Sequence, residues 1–268
     1  MSSKISCKIR VICYISFVRT IFIGDVHGCL QELRNLITEV DLRADDRLAF
    51  VGDLVDRGPN SIGVIRHVKL LMALYPGSFC VAGNHESKVI EQRRKNLFKE
   101  PWTVNATDED WAFLESLPLI KKLPGIIVVH GGFFPKFFQS YPEGLARIPD
   151  DWHRAKGKYM DRAKRFLRVR YVNPEGNMVT LGQETFDDVF WTSTYDGREG
   201  YAFYGHQPYI DPPEPKFAAH ACGIDTGCVF GGRLTAAIVK DDPRKAEFVS
   251  VPALSMYAEP RKATEEWE

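Results

Sequence analysis

The stretch Thr20-Ile-Phe-Ile-Gly-Asp-Val-His-Gly28 decides how the rest of the chain reads. Its opening residues are rich in β-branched and aromatic side chains and read as a strand buried on both faces. Gly24 ends that strand beside Asp25 and His27. Next, Leu30, Leu33, Leu36, Ile37 and Val40 recur at steps of three and four, one face of a helix. The same order then repeats. Residues 48–51 are a second strand, and Ile62, Ile65, Val68 and Met72 line the helix after it. Residues 79–82 are a third strand, followed by a polar helix from about Ser87. Strand, helix and strand in about 30 residues is the crossover unit of parallel sheets.

Downstream the pattern loosens. Residues 98–117 read as loop plus a helix at Asp108–Ser116, and 125–129 as a further strand. Residues 133–190 are less periodic and are expected to form an insert beside the sheet rather than a second domain. Residues 201–204, 221–224, 234–239 and 246–251 read as four strands with no helices between them, expected to pair antiparallel or form a second sheet. The fold class is α/β: a β-sandwich of two mixed sheets flanked by helices. At 268 residues with 44% hydrophobic and 26% charged side chains, the chain suits one large globular domain and excludes a disordered one.

Thirty-five basic and 35 acidic side chains balance to zero, so global charge offers no case for nucleic-acid duplexes or membrane surfaces. Six cysteines, at positions 7, 13, 29, 80, 222 and 228, form no CxxC pair and suit free thiols in a reducing cytosol. The apolar run at 11–18 follows Lys4, Lys8 and Arg10 like a signal peptide, but no small-residue cleavage site comes after it. A cytoplasmic location is the expectation.

The chemistry lies just past the end of each strand. In order come Gly24-Asp25-Val26-His27-Gly28, then Gly52-Asp53-Leu54-Val55-Asp56-Arg57-Gly58, then Gly83-Asn84-His85-Glu86, His130-Gly131-Gly132 and Gly205-His206. Taken singly, each has an ordinary explanation: a strand-end Asp caps the next helix, a His bonds backbone, and Gly-Gly is a turn. Five strand ends in register are another matter. Carboxyl ends of strands in an open α/β sheet share one edge, where ligand sites form. Two carboxylates (Asp25, Asp53), one amide (Asn84) and three imidazoles (His27, His130, His206) suit Mn, Fe or Zn better than Ca. Six donors exceed one catalytic metal and fit two, with Asp53 as the bridge. Such a pair activates water against phosphorus, so the residues point to a binuclear phosphoesterase.

These motifs resemble the metal-dependent phosphoprotein phosphatase family within the calcineurin-like metallophosphoesterases. GDVHG at 24–28, GDLVDRG at 52–58, GNHE at 83–86 and HGG at 130–132 carry the resemblance, which covers about residues 19–240. It implies that Asp25, His27 and Asp53 hold one metal, and that Asp53, Asn84, His130 and His206 hold the other. The metals implied are two divalent ions, manganese first, with iron or zinc as alternatives. His85 paired with Asp56 becomes the general acid, Arg57 grips phosphate, and a metal-bridging hydroxide attacks directly.

Residues 204–208 and 224–232 are similar to the bacterial and phage branch. That branch holds lambda-type phosphatases, PrpE-like enzymes and symmetrical diadenosine tetraphosphate (Ap4A) hydrolases. By this likeness Arg168 or Arg170 is a second phosphate-binding residue, Arg198 a weaker candidate, and Asp225 a loop-fixing residue rather than a ligand. The substrate implied is a phosphomonoester, as in serine/threonine protein phosphatases acting on phosphorylated proteins. The alternative is a dinucleoside tetraphosphate cut symmetrically. Family members often begin just before the first strand, so 18–255 is taken as the catalytic domain, 1–17 as a dispensable extension and 256–268 as a charged, frayed tail. Phe133, Phe134, Phe137, Phe138 and Tyr141 read as packing of the insert ahead of a stacking surface.

Overall fold

The computed structural model describes residues 18–260; the proposed extension at 1–17 and the tail from 261 onward lie outside the described residues. Its first sheet holds β1 (Thr20–Ile23), β2 (Arg47–Phe50), β3 (Phe79–Cys80), β12 (Arg233–Val239) and β13 (Glu247–Pro252), in the order β13-β12-β1-β2-β3. The second holds β4 (Ile120–Leu123), β5 (Ile126–Val129), β9 (Tyr201–Tyr204), β10 (Lys216–Ala218) and β11 (Ala221–Gly223), in the order β10-β11-β9-β5-β4. Strands β1, β2 and β3 run parallel, as do β5, β9 and β11, while β12 and β13 in the first sheet and β4 and β10 in the second pair antiparallel.

Alternation along the strands builds two cores. Phe22, Ala49, Val51, Phe79, Val128, Phe203, Cys222, Ile224 and Ala237 point between the sheets. Phe22 stacks on Phe203 there, with centroids 4.0 Å apart. Residues of the opposite parity, such as Ile21, Ile23, Leu48 and Phe50, meet the helices instead. These are α1 (Leu30–Val40), α2 (Ser61–Leu74), α3 (Asn84–Arg94) and α4 (Asp108–Ser116). Leu33, Leu36 and Val40 of α1 are buried, as their spacing predicts; in α2 the buried stripe is Val64, Ile65, Val68 and Leu71, while the expected Ile62 and Met72 are only half-buried. No helix among the described residues is long and apolar enough to cross a membrane.

Some expectations change. The late strands do not pair only with one another: β9 and β11 are parallel neighbours in the second sheet, whereas β12 and β13 complete the first. A parallel β9–β11 step is hidden from pattern reading because its connection carries a short edge strand, β10, in place of a helix. The polar helix begins at Asn84, not near Ser87, because the Glu86 carboxylate accepts the Gly83 N–H (2.8 Å) and starts the first turn inside the GNHE motif. The start of the expected tail is tied down: Tyr257 and Ala258 both donate backbone N–H groups to the Val229 carbonyl (2.9 and 3.1 Å).

Residues 133–190 contain α5 (Pro135–Ser140), α6 (Lys158–Ala163) and a small sheet of β6 (Tyr171–Val172), β7 (Met178–Val179) and β8 (Val189–Phe190). Phe133, Phe134, Phe137 and Phe138 are buried and pack on one another, on Phe166 and on Trp191. They are core.

Candidate active site

Six parallel strands, three from each sheet, deliver polar residues to a single cup. Asp25 and His27 follow β1, Asp53 follows β2, and Asn84 follows β3; His130 follows β5, His206 follows β9 and Asp225 follows β11. All seven are buried. The loops lock together through backbone bonds: Val26 and His27 donate to the Asp53 carbonyl (3.1 and 2.8 Å), and Gly205 donates to that of His130 (2.9 Å).

Backbone strain concentrates in the cup. Of seven non-glycine residues with positive φ among the described residues, five are His27, Asp53, Asp56, Arg57 and His206. Two glycines are required by close approach. A Cβ at Gly83 would run into the Asp53 carboxylate, and one at Gly205 into that of Asp25.

Asp53 sits at the centre. Its Oδ2 lies 3.4 Å from His27 Nε2 and 3.3 Å from His130 Nε2. His130 Nε2 is also 3.1 Å from Asn84 Oδ1. His27 Nδ1 and His130 Nδ1 each donate to a backbone carbonyl, of Val55 and Val51 respectively (both 2.9 Å), which turns each Nε2 lone pair inward. Asp25 Oδ2 accepts the His206 N–H (3.0 Å). Asp25 Oδ1 and His206 Nε2 are buried with no hydrogen-bond partner. Orphaned buried acceptors of this kind are costly. Two such atoms beside a carboxylate flanked by imidazoles fit a cup made for cations: donor atoms of His27, Asp53 and His85, and of Asp53, His130 and His206, lie within 4.8 Å of one another.

The electrostatics agree at His27 and His206; at His130 burial opposes the charged form, yet the Asp53 charge and hydrogen bond outweigh it and raise the imidazole. Burial pushes the Asp25 carboxyl well up, and the charges of Asp225 and Asp53 add to it. Burial disfavours charge on Asp53 too, yet His130, His85 and His27 outweigh it and hold that carboxyl well below the usual range. Burial depresses His27, helped by Arg57, and His206, helped by Arg170. A neutral imidazole is the form that binds a metal. Burial lifts Asp225 to about 6 although the Gly227 N–H bonds its Oδ1 (3.0 Å), a contact that pins its own loop.

His85 Nδ1 donates to Asp56 Oδ2 (2.7 Å), and Trp102 Nε1 donates to Asp56 Oδ1 (2.8 Å). Burial opposes charge on Asp56, but the His85 and Trp102 bonds still hold its carboxyl low. Arg57 Nη1 donates to His27 Nε2 (2.8 Å), and its guanidinium lies over the Phe230 ring, 5.2 Å from the centroid. Arg170 Nη2 donates to the His206 carbonyl (2.7 Å). A cleft of about 440 Å³ opens from the cup, lined among others by Arg57, Arg170, Tyr171, Leu181, Pro208 and Phe230.

The other two arginines lie elsewhere. Arg168 is exposed and does not line the cleft; its N–H closes a turn onto the Arg165 carbonyl (2.8 Å). Arg198 forms a fork with Asp196 over the Phe138 ring.

Sequence reasoning gives no role to Glu86 or Trp102. Glu86 is fully buried; its Oε2 accepts the N–H groups of Asp53 (2.9 Å) and Gly83 (2.8 Å), and its Oε1 those of Leu54 (2.9 Å) and Val55 (3.3 Å). It is the brace under the Asp53 loop. An acid three residues after the helix-starting Gly83 is the signal that could have found it. Nothing local marks Trp102 as the partner of Asp56, 46 residues away.

Fold and cup together define a metallophosphoesterase. The profile of the calcineurin-like phosphoesterase family matches residues 18–209, and the chain belongs to that family. Among its relatives, a bis(5'-nucleosyl)-tetraphosphatase PrpE [asymmetrical] from Oceanobacillus iheyensis is 32% identical over 85% of this chain and 90% of its own length. Its counterpart in Halalkalibacterium halodurans is 32% identical over 86% and 92%. A crystal structure ascribed to a diadenosine tetraphosphatase superposes with a TM-score of 0.65 at 29% identity, over 89% of this chain and 95% of that one. A serine/threonine protein phosphatase from Saccharomyces cerevisiae shares the fold, with a TM-score of 0.58 at 17% identity, over 90% of this chain and 82% of that one.

Proposed function

We propose that this phosphoesterase hydrolyses the phosphoanhydride chain of a dinucleoside tetraphosphate asymmetrically, taking up one water to give a nucleoside triphosphate and a nucleoside monophosphate. The observation that carries this reading is the cleft leading from the cup. Two guanidiniums, Arg57 and Arg170, line it beside the cup, bonded to His27 Nε2 and to the His206 carbonyl, and Tyr171, Leu181 and Pro208 add apolar surface to the same cleft. A polyphosphate that carries a base needs both kinds of surface, positive charge and an apolar or aromatic face, in one cleft. The two relatives named above, each alike over most of both chains, carry the same activity in their names.

Asp25, His27 and Asp53 would hold one divalent ion, and Asp53, Asn84, His130 and His206 the other, with manganese the first choice for this mixed N/O donor set. When bound, the pair supplies positive charge to the phosphoryl oxygens and activates water. The chain's own groups do the rest. His27 Nε2 cannot serve a cation and Arg57 together, so Arg57 Nη1 turns from His27 to phosphate. Arg170 neutralises the next phosphate along. His85, oriented by Asp56, keeps Nε2 for the proton that the leaving oxygen takes. The four described cysteines are free and buried, which supports a cytoplasmic location.

The His85–Asp56 pair favours a second reading, phosphomonoester hydrolysis on phosphorylated proteins, because a serine or threonine alkoxide leaves only with a proton. The test is to supply manganese and compare kcat/KM for diadenosine tetraphosphate with that for a phosphothreonine peptide, resolving the nucleotides formed. ATP and AMP in equal amounts, with the dinucleotide preferred, are expected. Faster turnover of the peptide moves the function to the second reading, and two ADP per substrate refutes asymmetrical cleavage.

A further inference from the structure

A second cluster of ligating atoms lies outside the cup. Cys29, two residues beyond His27, is the N-cap of α1, and Glu32 lies in that helix's first turn. Cys228 lies three residues beyond Asp225. The two sulfurs and a Glu32 carboxylate oxygen lie within 4.8 Å of one another, and all three residues are buried. Glu32 Oε1 is occupied, accepting the Leu254 N–H (3.0 Å) and the Tyr257 hydroxyl (2.7 Å). Oε2 is buried with no partner, the thiols included. No arginine or lysine pairs with this carboxylate among the described residues.

We infer that Cys29, Cys228 and Glu32 form a binding site for a thiophilic divalent cation such as Zn²⁺, separate from the phosphoesterase cup. A Cys29–Cys228 disulfide would satisfy the sulfurs and leave Oε2 orphaned; a cation answers all three donors. Two sulfurs and one oxygen are a soft set that selects zinc or cadmium over manganese or magnesium. Tetrahedral zinc at about 2.3 Å from sulfur separates its ligands by about 3.8 Å, so side-chain rotation of about 1 Å or less closes the site. The His27 carbonyl accepts the Cys29 S–H (3.7 Å), and loss of that proton on metal binding frees it as a fourth donor. The thiols bind as thiolates and release their protons to solvent. The positive end of α1 favours anions at its N-terminus. The cation would pin the Asp25–His27 loop to the Asp225–Phe230 loop, both of which face the cup.

Cadmium is the probe, because the cup contains no sulfur and cannot give a thiolate-to-cadmium charge-transfer band. The full chain, carrying Cys7→Ser and Cys13→Ser, is kept reduced with a phosphine and titrated with Cd²⁺ in the ultraviolet. One equivalent should develop the band. Cys29→Ser and Cys228→Ser should each abolish it, Cys222→Ala should retain it, and Glu32→Gln should weaken Cd²⁺ at least about tenfold. Since a serine variant can misfold, ¹¹³Cd NMR of the parent chain gives an independent reading: one resonance in the thiolate-shifted range is expected. Only nitrogen- and oxygen-type resonances, or a band that survives either single cysteine substitution, would overturn the assignment. So would a reduced protein that takes up no cadmium at sulfur yet forms the Cys29–Cys228 disulfide in air.

Discussion

Glu86→Gln isolates the brace beneath the metal cup. The carboxylate accepts four backbone N–H groups, two at each oxygen, from Asp53, Gly83, Leu54 and Val55. An amide of the same shape keeps one acceptor and turns an NH₂ toward the other two donors, so two buried N–H groups lose their partner whichever way it flips. Hydrogen bonds to a charged acceptor contribute about 1.5–3 kcal/mol each, and the strand ends relax in part, so a loss of roughly 2–4 kcal/mol is expected. Burial and the Asp53 charge push Glu86 up to about 7, so the comparison belongs at pH 8, where the carboxylate is ionised.

With a urea slope on the order of 3 kcal/mol per molar, the unfolding midpoint should fall by about 1 M. Because two of the four donors are the amides of Asp53 and Gly83, manganese affinity should fall as well, by about 10- to 100-fold, as when a partner behind a ligand is lost. Calorimetric titration of Mn²⁺ reads the second effect. Glu86→Asp, withdrawn by one methylene, should lie on the same side of wild type in both assays. An unchanged urea midpoint together with unchanged manganese affinity would refute the brace.

Four further outcomes are expected. His85→Asn should keep the manganese content of wild type while slowing alkyl phosphates about 10²- to 10⁴-fold and aryl phosphates much less; equal losses would remove His85 from the proton transfer. Tyr171→Ala should lower kcat/KM for diadenosine tetraphosphate about tenfold or more, the worth of one stacked base, and leave p-nitrophenyl phosphate nearly untouched; parallel losses would place the base elsewhere. At the far end of β1, burial opposes charge on Asp46, yet Arg19 Nε and Nη2 (2.8 and 2.5 Å) and the Arg43 N–H (2.7 Å) hold its carboxyl below the usual range. That stability is present at neutral pH and lost as pH falls below about 4, so Asp46→Asn should cost roughly 2–3 kcal/mol at pH 7 and converge with wild type in acid. A chain beginning at Val18, where the family match starts, should fold and bind two equivalents of manganese, as elemental analysis and circular dichroism would show.

Much of the cup was legible along the chain because its donors are local to strand ends. A buried apolar strand must stop before a polar loop, and a glycine beside Asp25, Asp53, Asn84 or His206 marks both the stop and a backbone able to turn. Those short-range rules do not depend on which sheet a strand joins. They are enough to point to the polar residues that line the cup and to the α/β class.

Tertiary structure decided the rest, since it concerned groups whose separation in space has no counterpart in their separation along the chain. Two sheets rather than one edge supply the cup, because β5, β9 and β11 find each other across long connections. Arg170 lines the cleft and Arg168 stays exposed outside it, a difference made by how the folded segment packs beside His206. A local capping signal marks Glu86, but its reach to Asp53, like the hold of Trp102 on Asp56, comes only from folding. Cys29 and Cys228 looked like ordinary free thiols until the chain closed upon itself and set both beside an unpartnered Glu32 oxygen.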